Sequence, residues 1–189
     1  MDIYNYISKF KDKKPIINNI LKDVVNGKLK IRNFDEIDNR TLAQMRMYMV
    51  SHKIIKTNAL TNISDKIVVN KAKKIWYGWC YNNIIYNNNE ISKGYEMLNT
   101  IIHEYIHYYR KRTDVFKYGT HNQIFIEEFF AYLVANYNVD CIKSKKTIKL
   151  TNEYIEKLYT SVIKKYDLHI KNPQLLIKKH IHEINKFIS

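Results

Sequence analysis

Apolar residues recur every three or four positions through much of the chain, which is the period of an amphipathic helix. One well-marked helix begins at Pro15, a residue suited to a first helical turn, and stops at Gly27. The same spacing predicts helices over 3–10, 41–55, 95–110, 123–137 and 151–166, and a last helix from Asn172-Pro173 onward.

Short runs of β-branched and aromatic residues interrupt this helical pattern. The predicted strands lie at 28–34, 67–69, 74–81 and 84–87. Asn82-Asn83 can adopt the positive φ of a tight turn, so the last two strands should form a hairpin. Gly78 inside a strand indicates a bulge or the close approach of another segment. Helices and strands together predict an α+β fold.

The chain of 189 residues suits one compact domain with a substantial core. Along the chain we distinguish a mainly helical portion over 1–65, a central portion over 66–140 that contains the predicted hairpin, and basic helices over 141–189. No apolar run approaches the length of about 18 residues that a membrane-spanning helix needs, so no membrane partner is expected. The N-terminus lacks the basic start and apolar core of a secretory signal, and Cys80 and Cys141 stand alone, so a cytoplasmic protein is expected.

The net charge is +14, and most of the basic residues are lysine. Asparagine, isoleucine and tyrosine are abundant while glycine and proline are scarce, a skew typical of AT-rich coding sequences, so the charge is not by itself evidence of a function. A lysine-rich surface still attracts phosphate and would permit contact with nucleic acid. No nucleic-acid recognition motif accompanies the charge, and nothing indicates the oligomeric state.

The clearest chemical signal is His103-Glu104-Tyr105-Ile106-His107, inside an apolar run free of glycine and proline. At about 3.6 residues per turn, His103 and His107 share one helix face and can bind the same ion. Glu104 lies about 100° round the helix, where it can reach a water molecule on that ion without ligating it. The pattern indicates a hydrolase with one Zn²⁺ per chain and Glu104 as general base.

A third metal ligand is expected from the apolar helix at 123–137, which contains Glu127 and Glu128. A carboxylate in such a helix is costly unless it is paired or binds a metal. Glu128 shares its stripe with Ala131, a small residue that allows close helix packing, whereas Glu127 shares its stripe with the bulkier Phe130. We therefore predict Glu128 as the ligand, with Glu127 as the alternative. The other acid should be a hydrogen-bond partner beside the metal or a solvent-facing residue.

The combination of His103-Glu104-x-x-His107 with Glu128-Phe129-Phe130-Ala131 resembles the gluzincin metallopeptidases. It is especially similar to the catalytic domains related to anthrax lethal factor and to the proline-specific clostridial endopeptidases. The resemblance implies a zincin-like fold, peptide-bond hydrolysis and Glu128 as zinc ligand. It also implies a catalytic, transition-state-stabilising role for His121, with Tyr118 and Tyr132 as alternatives. Those families have an acid at the position that Tyr132 occupies here, which is a departure from their pattern.

A second resemblance uses some of the same residues. SprT-like and Spartan-type proteases are similar in the strand pattern at Ile84–Asn87, in the histidine motif and in His121-Asn122-x-x-Phe125. This resemblance implies His121 as third ligand and DNA-associated proteins as substrates. It leaves Glu127 and Glu128 without a catalytic task, so the gluzincin interpretation is preferred. Both resemblances cover about 74–137.

The sequence thus predicts a zinc metalloendopeptidase that acts on a protein or peptide by means of a zinc-activated water. A strand at 76–81 or 84–87 would hold an extended substrate by edge pairing. Residues 108–120 would form the rim of the cleft. The alternative outside the enzymes is a binding module whose fold is stabilised by zinc and which catalyses no reaction.

Overall fold

The computed structural model describes residues 2–55, 63–111 and 119–188. Within them the chain is α+β, with a small sheet among helices. The helices are α1 (Ile3–Ser8), α2 (Pro15–Val25), α3 (Asn39–Ser51), α4 (Asp65–Ile75), α5 (Tyr95–Tyr109), α6 (His121–Ser144), α7 (Asn152–Lys165) and α8 (Pro173–Asn185). The strands are β1 (Lys30–Asn33), β2 (Gly78–Tyr81) and β3 (Ile84–Asn87), and a 3₁₀ turn spans Phe34–Glu36.

The sheet has the order β1-β3-β2, with β1 parallel and β2 antiparallel to the central strand. Asn82 and Asn83 connect β2 to β3 with φ values of 47° and 59°, so the predicted tight turn is confirmed. Within the described chain, β2 has a strand neighbour on one side only. It is therefore an edge strand.

The predicted strand at 67–69 is wrong, because these residues lie in α4. Ser64 caps this helix by accepting a hydrogen bond from the backbone N–H of Ile67 at 3.4 Å. Val68 and Ala72, one helical turn apart, are both fully buried, whereas Ile67 is 53% exposed. Burial on one helical stripe thus outweighs the local β preference of the Ile-Val-Val run.

Two further boundaries differ from the sequence-based expectations. The strand predicted over 74–81 begins only at Gly78, because α4 continues to Ile75. The helix predicted over 123–137 extends from His121 to Ser144. At its start, Thr120 and Gln123 form a capping box, each side chain bonding the other residue's backbone N–H.

The core is built around α5, which packs against α6 on one side and against β2 and β3 on the other. Fully buried Leu98, Ile101 and Ile102 of α5 belong to the same apolar cluster as Phe129 and Leu133 of α6. Each such side chain contributes about 1.5–3 kcal/mol on burial. This packing holds α5, whose C-terminal half carries the histidine motif, between the edge strand and a second helix. Among the described helices, none is both long and apolar enough to cross a membrane.

Candidate metal centre

His103 and His107 lie one turn apart on α5, and both are almost completely buried. Their Nε2 atoms are 3.2 Å apart. Glu128 of α6 faces them, with Oε1 at 3.0 Å from Nε2 of His107 and Oε2 at 3.6 Å from Nε2 of His103. The structure thus brings together three possible metal ligands from two helices, all within 4.8 Å of one another.

The chemistry of this group suits one bound metal ion, and its spacing can be compared with that of a zinc site. Tetrahedral zinc with ligands at about 2.0–2.1 Å separates its ligand atoms by about 3.3 Å. The two imidazole nitrogens are 3.2 Å apart, close to that value, and each faces one oxygen of Glu128, His107 at 3.0 Å from Oε1 and His103 at 3.6 Å from Oε2. Two imidazole nitrogens and a carboxylate are a donor set of catalytic zinc sites, in which the fourth position is left open for water or substrate.

Charge within the group is unevenly distributed. Burial lowers the pKa of His103 to about 3, so its imidazole is neutral at pH 7. Burial also disfavours a charged His107, but the adjacent Glu128 carboxylate outweighs it and raises the pKa of His107 to about 9. For Glu128, burial is likewise outweighed by His107, which lowers the pKa of the carboxyl to about 2. A divalent cation bound here would therefore displace the proton of His107.

Glu104 follows His103 on α5 and lines the same cleft as the three possible ligands. Its carboxyl group is desolvated, which raises its pKa to about 7. A carboxyl with a pKa near the working pH is suited to accept a proton and return it.

Gly78, the first residue of β2, lies directly against the motif helix. A Cβ atom at this position would stand 2.5 Å from Cγ2 of Thr100 and 3.0 Å from Cγ of Glu104. The close approach predicted for Gly78 is therefore confirmed, and it lets the edge strand reach the side chain of Glu104.

Glu127 has a different environment from its neighbour. It is fully buried, and both of its carboxylate oxygens accept hydrogen bonds from Arg110, Nε at 2.8 Å and Nη2 at 2.9 Å. Arg110 also donates to Glu183 of α8. Of the two alternatives predicted for the second acid, solvent exposure is therefore wrong, because a bidentate ion pair offsets the cost of burying Glu127.

The structure does not bring His121 into the group of possible ligands. This residue is exposed at the start of α6, its Nδ1 accepts a hydrogen bond from the backbone N–H of His169 at 2.9 Å, and its ring stacks on that of His169. The alternative donor Tyr118 lies outside the described residues, as do positions 112–118 of the predicted cleft rim. The other alternative, Tyr132, packs its ring against His103 with centroids 4.4 Å apart.

Two residues near the site were not predicted. Tyr166 directly follows α7, and its hydroxyl group donates a hydrogen bond to Oε2 of Glu128. Lys165 donates to the hydroxyl group of Tyr132. The sequence holds no signal for either residue, because tyrosine and lysine are both abundant and α7 is remote from the motif along the chain.

A cleft of about 470 Å³ extends from the candidate site between α4, β2 and the end of α7. Much of its wall is aromatic or aliphatic, formed by Tyr48, Ile54, Ile75, Trp76, Tyr77, Tyr132 and Tyr166.

Comparisons with protein family models, curated proteins and solved structures found no match.

Proposed function

We propose that this protein is a zinc-dependent metallopeptidase with a zincin-like catalytic domain of the gluzincin type. The observation that supports it most directly is the convergence of His103, His107 and Glu128 from α5 and α6. The resemblance in sequence gave Glu128 as third ligand, and the same carboxylate faces the two histidines. Glu104 stands beside them with a carboxyl group suited to proton transfer.

In this proposal His103, His107 and Glu128 hold the zinc ion. When bound, the ion would polarise the scissile carbonyl group and lower the pKa of water. Glu104 accepts the proton of the attacking water on its carboxylate and transfers it to the leaving amine.

The placement of β2 suggests how a substrate is held. This strand is at the edge of the sheet and approaches α5 at Gly78, next to Glu104. An extended peptide can pair with such an edge through backbone hydrogen bonds, while side-chain pockets give specificity. The apolar cleft beside Trp76 and Tyr48 would receive bulky side chains. A protein or peptide segment in an extended conformation is therefore the proposed substrate.

The SprT-like alternative receives less support. It needs His121 as third ligand, but His121 is exposed and bonded to the backbone of His169. It also leaves the buried Glu128 facing two histidines without a function.

Zinc content and cleavage of an unfolded protein such as casein test the proposal together. Wild-type protein should hold about one zinc ion per chain and cleave the substrate. Glu104→Gln should keep the zinc and lose cleavage by a factor of about 10²–10⁴, whereas His103→Ala should lose both. Glu156→Gln, an exposed acid on α7, is the matched control and should behave like wild type.

Different failures have different meanings. A wild-type protein without zinc, or a Glu104→Gln variant that cleaves normally, would overturn the proposal. Bound zinc without cleavage of any protein or peptide would favour the zinc-stabilised binding module instead.

A further inference from the structure

A chain of polar contacts runs from the surface of α7 to the candidate metal centre. The ammonium group of Lys165 donates to the hydroxyl group of Tyr132, and that hydroxyl group is 3.4 Å from the hydroxyl group of Tyr166. Tyr166 in turn donates to Oε2 of Glu128. The ammonium group of Lys165 also lies near both tyrosine rings, 4.9 Å from one centroid and 5.4 Å from the other.

The donor and acceptor types give this chain a single direction. A lysine ammonium group can only donate, and a carboxylate can only accept. The hydroxyl group of Tyr132 therefore accepts a hydrogen bond from Lys165 and donates one to the hydroxyl group of Tyr166. Tyr166 in turn donates its own proton to Glu128. Bonds oriented in series polarise one another, so each contact strengthens the next.

These residues contact two of the three proposed ligands. Tyr166 holds Oε2 of Glu128, while Oε1 of the same carboxylate faces His107 at 3.0 Å. The ring of Tyr132 packs against His103, whose buried Nδ1 has no hydrogen-bond partner among the described residues. No hydrogen bond at Nδ1 from the described residues fixes the orientation of the His103 imidazole. The ring of Tyr132 that packs against it therefore fixes that orientation.

We propose that Lys165, Tyr132 and Tyr166 form a positioning relay that holds Glu128 and His103 in the arrangement needed to bind the metal. This inference rests on the metal site of the proposed function, but it does not depend on which reaction the site catalyses. In this proposal the basic C-terminal part of the chain contributes to the metal site through Lys165 and Tyr166 at the end of α7.

Metal affinity provides a direct test. Zinc affinity is measured by competition with a chromogenic chelator, and the ligand geometry is followed by the visible absorption of protein loaded with Co²⁺. Tyr166→Phe should weaken zinc binding by about 10–100-fold, the usual effect of removing a partner of a metal ligand, and should change the cobalt spectrum. Tyr132→Phe and Lys165→Met should each weaken binding several-fold. Tyr159→Phe is the control on the same helix, since among the described residues its hydroxyl group accepts one long contact, from Gln174 at 3.5 Å.

Wild-type affinity and an unchanged cobalt spectrum in a folded Tyr166→Phe variant would overturn the relay. If that variant fails to fold, unchanged zinc affinity of Lys165→Met overturns the relay instead. This variant should fold, because the lysine side chain is exposed and its loss leaves the core intact. A wild-type protein that binds no metal overturns the relay and the proposed function together. A wild-type protein that binds zinc but cleaves nothing overturns only the peptidase, and the affinities of the variants still test the relay.

Discussion

Glu128 lies with its Oε1 atom 3.0 Å from Nε2 of His107, and this contact joins α6 to α5 at the candidate metal centre. Glu127, the preceding residue, instead forms a bidentate ion pair with Arg110. Successive residues on a helix point about 100° apart, so two adjacent buried acids can serve different partners. One pair of acids thus supplies a possible metal ligand and a buried ion pair.

The first prediction concerns the choice of metal ligand. Glu128→Ala should lose zinc, because it removes one of three converging donors. Glu127→Gln and His121→Ala should keep it, since the first retains a similar shape and the second lies outside the ligand group. Metal content after dialysis against a weak chelator measures this. Loss of zinc in His121→Ala alone would instead identify the SprT-like ligand set.

The second prediction concerns the contact between the edge strand and the motif helix. Gly78→Ala places a methyl group 2.5 Å from Cγ2 of Thr100, so β2 must move away from α5. We expect a loss of about 1–3 kcal/mol in the free energy of unfolding, the usual cost of overpacking, and slower cleavage because Glu104 is displaced.

Urea denaturation of a double variant sharpens that test. Thr100→Ser removes Cγ2 but keeps the hydroxyl group that contacts Ser92. Combined with Gly78→Ala, it should recover part of the lost stability. Equal stability of the single and double variants would show that the contact with Thr100 is not the cause.

The third prediction concerns the buried ion pair of Arg110. Arg110→Met leaves Glu127 as an uncompensated buried charge. Removal of one partner of such a pair typically lowers the free energy of unfolding by about 3–5 kcal/mol. Glu183→Gln should cost much less, because the side chain of Glu183 is 35% exposed while that of Glu127 is fully buried. Denaturant unfolding of the two variants measures the difference. Similar losses in both would contradict this ranking.

The fourth prediction concerns pH and lies away from the metal centre. Asp38 caps α3, accepting from the backbone N–H of Thr41 at 2.7 Å and from the hydroxyl group of Tyr86 at 3.2 Å. The bond from Thr41 is the main cause that lowers the pKa of Asp38. A carboxyl with a lowered pKa in the folded state contributes stability above its ordinary pKa, and that contribution is lost as the pH falls through the folded value.

Wild-type protein should therefore lose stability on acidification below about pH 4, and Asp38→Asn should lose less over the same range. Asparagine is also a good N-cap, so the variant should remain folded at neutral pH. Denaturant midpoints collected from pH 7 to acid measure the slopes, with Glu156→Gln as control. Parallel slopes in wild type and Asp38→Asn would rule out this source of pH dependence.

Local patterns in the sequence predicted the parts of the fold that depend on neighbours along the chain. The helical spacing of His103 and His107 placed both imidazoles on one face, and Asn82-Asn83 predicted the hairpin turn. The same local reasoning failed at 67–69, where a strand-like triplet lies in α4. Burial of Val68 and Ala72 on one stripe decided that element, and burial depends on what packs against it.

The sequence alone determined the helix that carries His103, Glu104 and His107, because the positions of residues one turn apart follow from helix geometry. It also pointed to Glu128 through the cost of an acid in an apolar helix. Only the tertiary structure decided that Arg110 forms an ion pair with Glu127 and that Tyr166, at the end of α7, donates a hydrogen bond to Glu128. These contacts join segments far apart in the chain. Their formation depends on how whole helices pack, which no local spacing of residues specifies.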